Sequence, residues 1–190
     1  MHRFKKRGGV ISTDLEAEEV QLLESLVSEL VGLINTDRPD RQGAAGDSDD
    51  PFAAWAQELA DDGPVEAPED PVLRRLLPDA YPNDPKASAE FRRFTDHNLR
   101  QKKISDADVV LSHLRATDGG QELLKIPVGE TGPWLRTLTS VRLAVAGRLG
   151  ITDNESAALL DDVPDDDPRA FMISVYDWLG FAQETLVSAL

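Results

Sequence analysis

The stretch FRRFTDHNLRQKK, residues 91–103, holds five basic side chains and one acid. Arg92, Arg93, Arg100, Lys102 and Lys103 are donors suited to phosphate and carboxylate groups, the arginines bidentately. Together with Arg74 and Arg75 of the preceding LRRLL run, they are the candidate contact residues for an acidic protein or for DNA. Arg3, Lys5, Lys6 and Arg7 add a second basic cluster at the start of the chain. The whole-chain charge limits what these groups do: 20 Lys/Arg against 35 Asp/Glu leave −15, a field that repels nucleic-acid backbones and anionic lipid. DNA contact is therefore expected only together with a partner protein, and membrane contact is not expected.

Other site chemistries find no frame. Cysteine is absent, which excludes disulfides, thiolate nucleophiles and zinc–thiolate sites. His2, His97 and His113 are too scattered for a metal frame. Asp161, Asp162, Asp165, Asp166 and Asp167 lack the alternation, glycine and distal glutamate of a calcium loop, and read as a solvated helix junction. No GxSxG, GxxxxGK[ST] or GxGxxG occurs. A non-enzyme without metal or cofactor is the expectation.

The elements that carry the basic residues are mostly helices. FKKR and VIST flank Gly8-Gly9, the spacing of a two-residue hairpin over residues 1–13; a basic arm is the rival reading. Thr13-x-x-Glu16 has the capping-box spacing, and Val20, Leu23, Val27, Leu30 and Ile34 then mark a helix over 14–34. Residues 35–70 carry eleven acids, two arginines and four prolines, a composition that predicts a mobile acidic segment. Within it PFAAWAQELA, 51–60, is an apolar island read as a covered patch or a short docking helix.

PEDPVLRRLLPDAYPNDP, 68–85, reads as a short helix started by Pro71 and stopped by Pro78, anchored by Val72, Leu73, Leu76, Leu77 and Tyr81. Pairing with the acidic surplus is expected for at least one of Arg74 and Arg75. Over 88–114, Phe91, Phe94, Leu99, Val110, Leu111 and Leu114 are the predicted core positions. Thr117 to Pro133 is turn-rich, with Gly119-Gly120 as a helix stop. WLRTLTSVRLAVAGRLGI, 134–151, is the most apolar helix and the predicted centre, ending at Gly150.

Thr152-x-x-Glu155 opens another short helix, and a last one spans about 167–190 with a stripe from Phe171 to Leu190. The fold class is mainly α: one helical bundle over 71–190 together with the first helix, a short amino-terminal hairpin and the acidic insertion, all one domain.

Residues 141–163 have the order of a helix-turn-helix, but the second helix bears Glu155, Asp161 and Asp162 and no base, the wrong chemistry for reading DNA. Arg136, Arg142 and Arg148 recur every six residues, so they do not share a face, and a carboxylate partner is expected for any that is buried.

DPVLRRLLPDAY, followed by EFRRFTDHNLRQKK and WLRTLTSVRLAVAGRLGI, resembles the actinobacterial domain-of-unknown-function family 2017, whose genes neighbour those of the ClpS adaptor and a cysteine-biosynthesis cluster. The resemblance spans almost the entire chain. It implies a mainly helical, cytoplasmic, non-enzymatic regulator of the oxidative-stress response. It also implies that the regulator acts with a sigma factor, and so with RNA polymerase, at cysteine-biosynthesis promoters. A described member of the family senses oxidants through a CxxxC pair; without cysteine, no residue of that switch carries over here. A structural or adaptor protein tied to the Clp proteolytic system, contacted through 35–70, is the alternative. A homodimer through the first or last helix is compatible with either.

Overall fold

A computed structural model of the 190-residue chain describes residues 1–36 and 64–190. The acidic stretch and its apolar island, 51–60, fall largely outside the described residues. The predicted hairpin is present: strand β1 (Lys5–Arg7) pairs antiparallel with β2 (Val10–Thr13) across Gly8-Gly9, with Gly8 at φ +61°. A third strand, β3 (Leu124–Pro127), lies within the stretch predicted to be turn-rich and pairs with the other edge of β2. Its four residues are too few to announce a strand, yet they alternate: Leu124 and Ile126 point inward, and Ile126 sits opposite Ile11. Both isoleucines are completely buried. The chain reaches β3 through a turn in which Asp118, Gly119 and Gly120 all have positive φ. Gly120 is obligatory there, since a Cβ would stand 2.9 Å from the Leu15 carbonyl oxygen.

Helix α1 (Ala17–Thr36) starts later than Thr13 predicts. Thr13 remains in β2, where its hydroxyl donates to the His2 carbonyl, and Glu19 instead reaches back to accept from the Glu16 amide at 2.9 Å. The capping logic holds one turn further on. The predicted stripe, Val20, Leu23, Val27, Leu30 and Ile34, is buried throughout.

Helix α2 (Pro71–Leu76) is capped by Asp70, whose carboxylate accepts from the Val72 amide at 2.7 Å. Val72, Leu73, Leu76 and Leu77 are all buried, as predicted, whereas Tyr81 lies outside at 49% exposure. Then come α3 (Pro85–Arg115), α4 (Thr131–Leu149), the short α5 (Asn154–Ala158) and α6 (Ala170–Ser188). Helix α5 is capped by Asp153 with Ser156, one residue after the predicted Thr152.

Helix α4 is the hub, packing against α1, α2, α3 and α6. Trp134, Leu138, Val141, Val145 and Leu149 are buried, and Gly150 closes the helix in the left-handed conformation at φ +76°. Helix α2 seats closely on α4 because position 147 is glycine: a Cβ would lie 2.9 Å from Val72 Cγ2. One apolar cluster runs from Phe4, just before β1, through Ile11 and Ile126 of the sheet to Leu186 in α6, so sheet and bundle share a core. In α6 the predicted stripe is buried in the middle, at Val175, Leu179, Ala182 and Leu186, while Phe171 and Leu190 at its ends are exposed.

Candidate functional site

The candidate basic residues lie on α2 and α3, and α3 presents them differently from what apolar periodicity predicts. Arg92, Asp96 and Arg100, spaced four apart, form the inward face of its first half, each no more than 9% exposed. Phe91, Phe94 and Leu99, expected in the core, are 46%, 66% and 40% exposed. The helix is rotated because its charged groups meet acceptors inside. Arg92 pairs with Asp79 at 2.6 Å. Arg100 Nε donates to Asp96 at 2.6 Å, and its Nη1 donates to the carbonyl of Ile34, the end of α1, at 2.7 Å. A buried guanidinium satisfied in this way is tolerated, whereas an unsatisfied one is not. Val110, Leu111 and Leu114 in the second half are buried as expected.

The basic residues therefore do not form one surface. Arg92 and Arg100 serve the interior. Lys102 is exposed but bonds Asp106 at 2.7 Å, and Arg136 of α4 forks onto the same carboxylate at 2.7 and 2.9 Å. Hydrogen bonds from Arg136, joined by those from Lys102, hold the Asp106 carboxyl below its ordinary value against the opposing effect of burial. Lys103 turns toward Ser140 of α4, to which it donates at 3.2 Å.

The expected pairing at Arg74 and Arg75 is absent among the described residues: neither forms an ion pair, and Arg74 Nε donates to the Pro68 carbonyl at 2.6 Å. The cation that ties α2 to the bundle is Arg148, 3.1 Å from Asp70. Arg142 also departs from expectation. Its guanidinium stacks over Tyr176 at 4.5 Å instead of meeting a carboxylate, in space left open by Gly180.

On the outer side of α3 the residues that sequence reasoning placed in the core make a different surface, joined by Tyr81 of the preceding loop. Tyr81 packs edge-on against Phe91, ring centres 6.0 Å apart, and Arg93 lies 4.8 Å over the Phe94 ring. Phe91 and Leu99 border a shallow groove of about 200 Å³ floored by Leu77. Exposed aromatics with a stacked arginine have the composition of protein-binding hot spots, and aromatic rings lose little side-chain entropy on binding. Part of this was accessible from spacing, since Asp96–Arg100 and Lys102–Asp106 are i,i+4 pairs. The Asp79–Arg92 pair was not, because it joins a loop to a helix. A larger groove, about 430 Å³, lies between α1, α4 and α6 beside the exposed Phe171 and Met172.

Among the described residues no group of three or more His, Asp or Glu is placed to hold a metal ion, and no helix is long and apolar enough to cross a membrane. A family model described as "Domain of unknown function (DUF2017)" matches residues 1–190. A Mycobacterium leprae (strain TN) protein carrying the AosR name is 30% identical over 90% of this chain and 78% of its own length. The Mycobacterium tuberculosis (strain H37Rv) protein named oxidative stress regulator AosR is 29% identical over 94% of this chain and 81% of its own length. No solved structure matches this chain.

Proposed function

The chain belongs to the DUF2017 family, and from that membership and the character of its surface we propose that it is a non-enzymatic regulator of the oxidative-stress response that works by protein contact. The observation that carries this reading is the outward face of α3, where Tyr81, Phe91, Phe94 and Leu99 are exposed beside Arg93. The inward turn of the charged face places these side chains in water, and a partner offering apolar groups would cover them.

The relatives' name supports the stress-response assignment. The internal pairing of Arg92, Arg100 and Lys102 supports contact with protein ahead of contact with DNA. The finer reading is a sigma factor or RNA polymerase as partner, at cysteine-biosynthesis promoters, with DNA approached only through that partner. Since the chain has no cysteine, its signal is not a thiol–disulfide switch within itself.

Affinity purification from the native cell, comparing wild type with Phe91→Ala/Phe94→Ala, tests the proposal. RNA polymerase subunits retained by wild type and lost with the variant support it. Recovery of a Clp component, insensitive to the variant and lost on deleting 35–70, would favour the adaptor reading. Recovery of nothing but a second copy would remove its main support.

A further inference from the structure

A groove of about 270 Å³ lies between α3 and α4, away from the aromatic face except at Leu99, which borders both. Lys102, Lys103 and Arg136 bring three cations to it, and Asp106 is the carboxylate among them. Lys102 and Arg136 are both committed to Asp106. Lys103 is half-buried and bonds only the neutral Ser140 hydroxyl, with no carboxylate within ion-pair reach among the described residues. Burial pushes its ammonium below the ordinary lysine value, and Asp106 at longer range opposes that shift.

A second, independent feature lies in the same groove. Thr137 is 2% exposed, and its Oγ1 has no hydrogen-bond partner among the described residues. Buried hydroxyls are ordinarily satisfied, so an orphan on a residue lining the same groove as Lys103 leaves room for an acceptor there. The remaining wall is Leu30, Leu99, Leu135 and Leu143 with Thr139, whose hydroxyl donates to the Leu135 carbonyl at 2.7 Å.

We infer that this groove binds a small oxyanion on a short apolar body, the head group taken by Lys103 with the Thr137 and Ser140 hydroxyls and the body lying on the four leucines. A carboxylate and a phosphate monoester share the required chemistry. The volume is just under the ~300 Å³ at which pockets for drug-sized ligands begin, which restricts the body to a few carbons. The site stands on its own geometry and does not depend on the regulatory reading.

The full chain is titrated with hexanoate, hexyl phosphate, acetate and hexan-1-ol at constant ionic strength, following the methyl resonances of Leu135 and Leu143. Saturable shifts are expected with hexanoate or hexyl phosphate, the tighter of the two identifying the head group. Acetate and hexan-1-ol should each bind at least about tenfold more weakly, since each lacks half of the ligand. Lys103→Met should weaken binding by a similar factor. Thr137→Val should fold at least as well as wild type, because the hydroxyl has no internal partner, and should also bind more weakly. That keeps the test decisive even if the lysine variant fails to fold. Equal binding of hexan-1-ol and hexanoate, unchanged affinity in both variants, or no saturable shift would overturn the inference.

Discussion

Helices α3 and α4 lie side by side and obey different rules. In α4, apolar spacing reports the interior directly: Leu138, Val141, Val145 and Leu149 are buried, and neighbours cover the helix on several sides. In the first half of α3 the interior face is Arg92, Asp96 and Arg100, and the aromatics face out. Periodicity reports burial when apolar area is the main thing a helix offers. It misleads when a helix carries charges whose acceptors wait in the interior, because satisfying them outweighs covering two or three apolar side chains.

The contrast is sharpest at Arg100. Arg100→Ala strands the Asp96 carboxylate and the Ile34 carbonyl in a buried site, and a loss of about 3–5 kcal/mol in urea unfolding is expected, as for other broken buried pairs. An unchanged midpoint would mean that α3 is not held by its charges. In α4, Leu138→Ala should cost about 2–4 kcal/mol as a cavity, the ordinary penalty for an apolar core.

The polar seam has a pH signature that the apolar one lacks. Asp106 has its folded value depressed below the ordinary 3.8. Its contribution is therefore fully present above that ordinary value and is lost as pH falls through the lower folded one. Wild type should lose stability on acidification in that range, and Asp106→Asn should be less stable at neutral pH and show a shallower acid loss. Parallel acid profiles would break the assignment.

The smallest effect is expected on the outward face. Phe94→Ala should change stability by no more than about 0.5 kcal/mol, as surface substitutions do. A core-sized loss there would return Phe94 to the interior and remove the observation that carries the functional proposal.

Much of the bundle was readable from local pattern. The stripe of α1, the proline-started α2 with Val72, Leu73, Leu76 and Leu77 inside, the glycine stop of α4 and the hairpin all follow from interactions within a few residues. Caps were misplaced by one turn at α1 and by one residue at α5, since Thr13 and Thr152 have competing partners nearby. Strand β3 was missed because four residues become a strand only when an edge is offered, here by β2. Of the candidate site, the basic residues were visible and their destinations were not. The aromatic surface was misassigned because exposed phenylalanine has no local signature.

The sequence by itself determined that the chain is mainly helical, strongly acidic and without any thiol, since composition and short-range spacing depend on no distant contact. Only the tertiary structure decided which face of α3 turns inward. That choice depends on whether a guanidinium finds its acceptor, and the carbonyl that holds Arg100 lies 66 residues away along the chain. Burial of a charge is settled by partners brought together in space, and a linear pattern does not contain them.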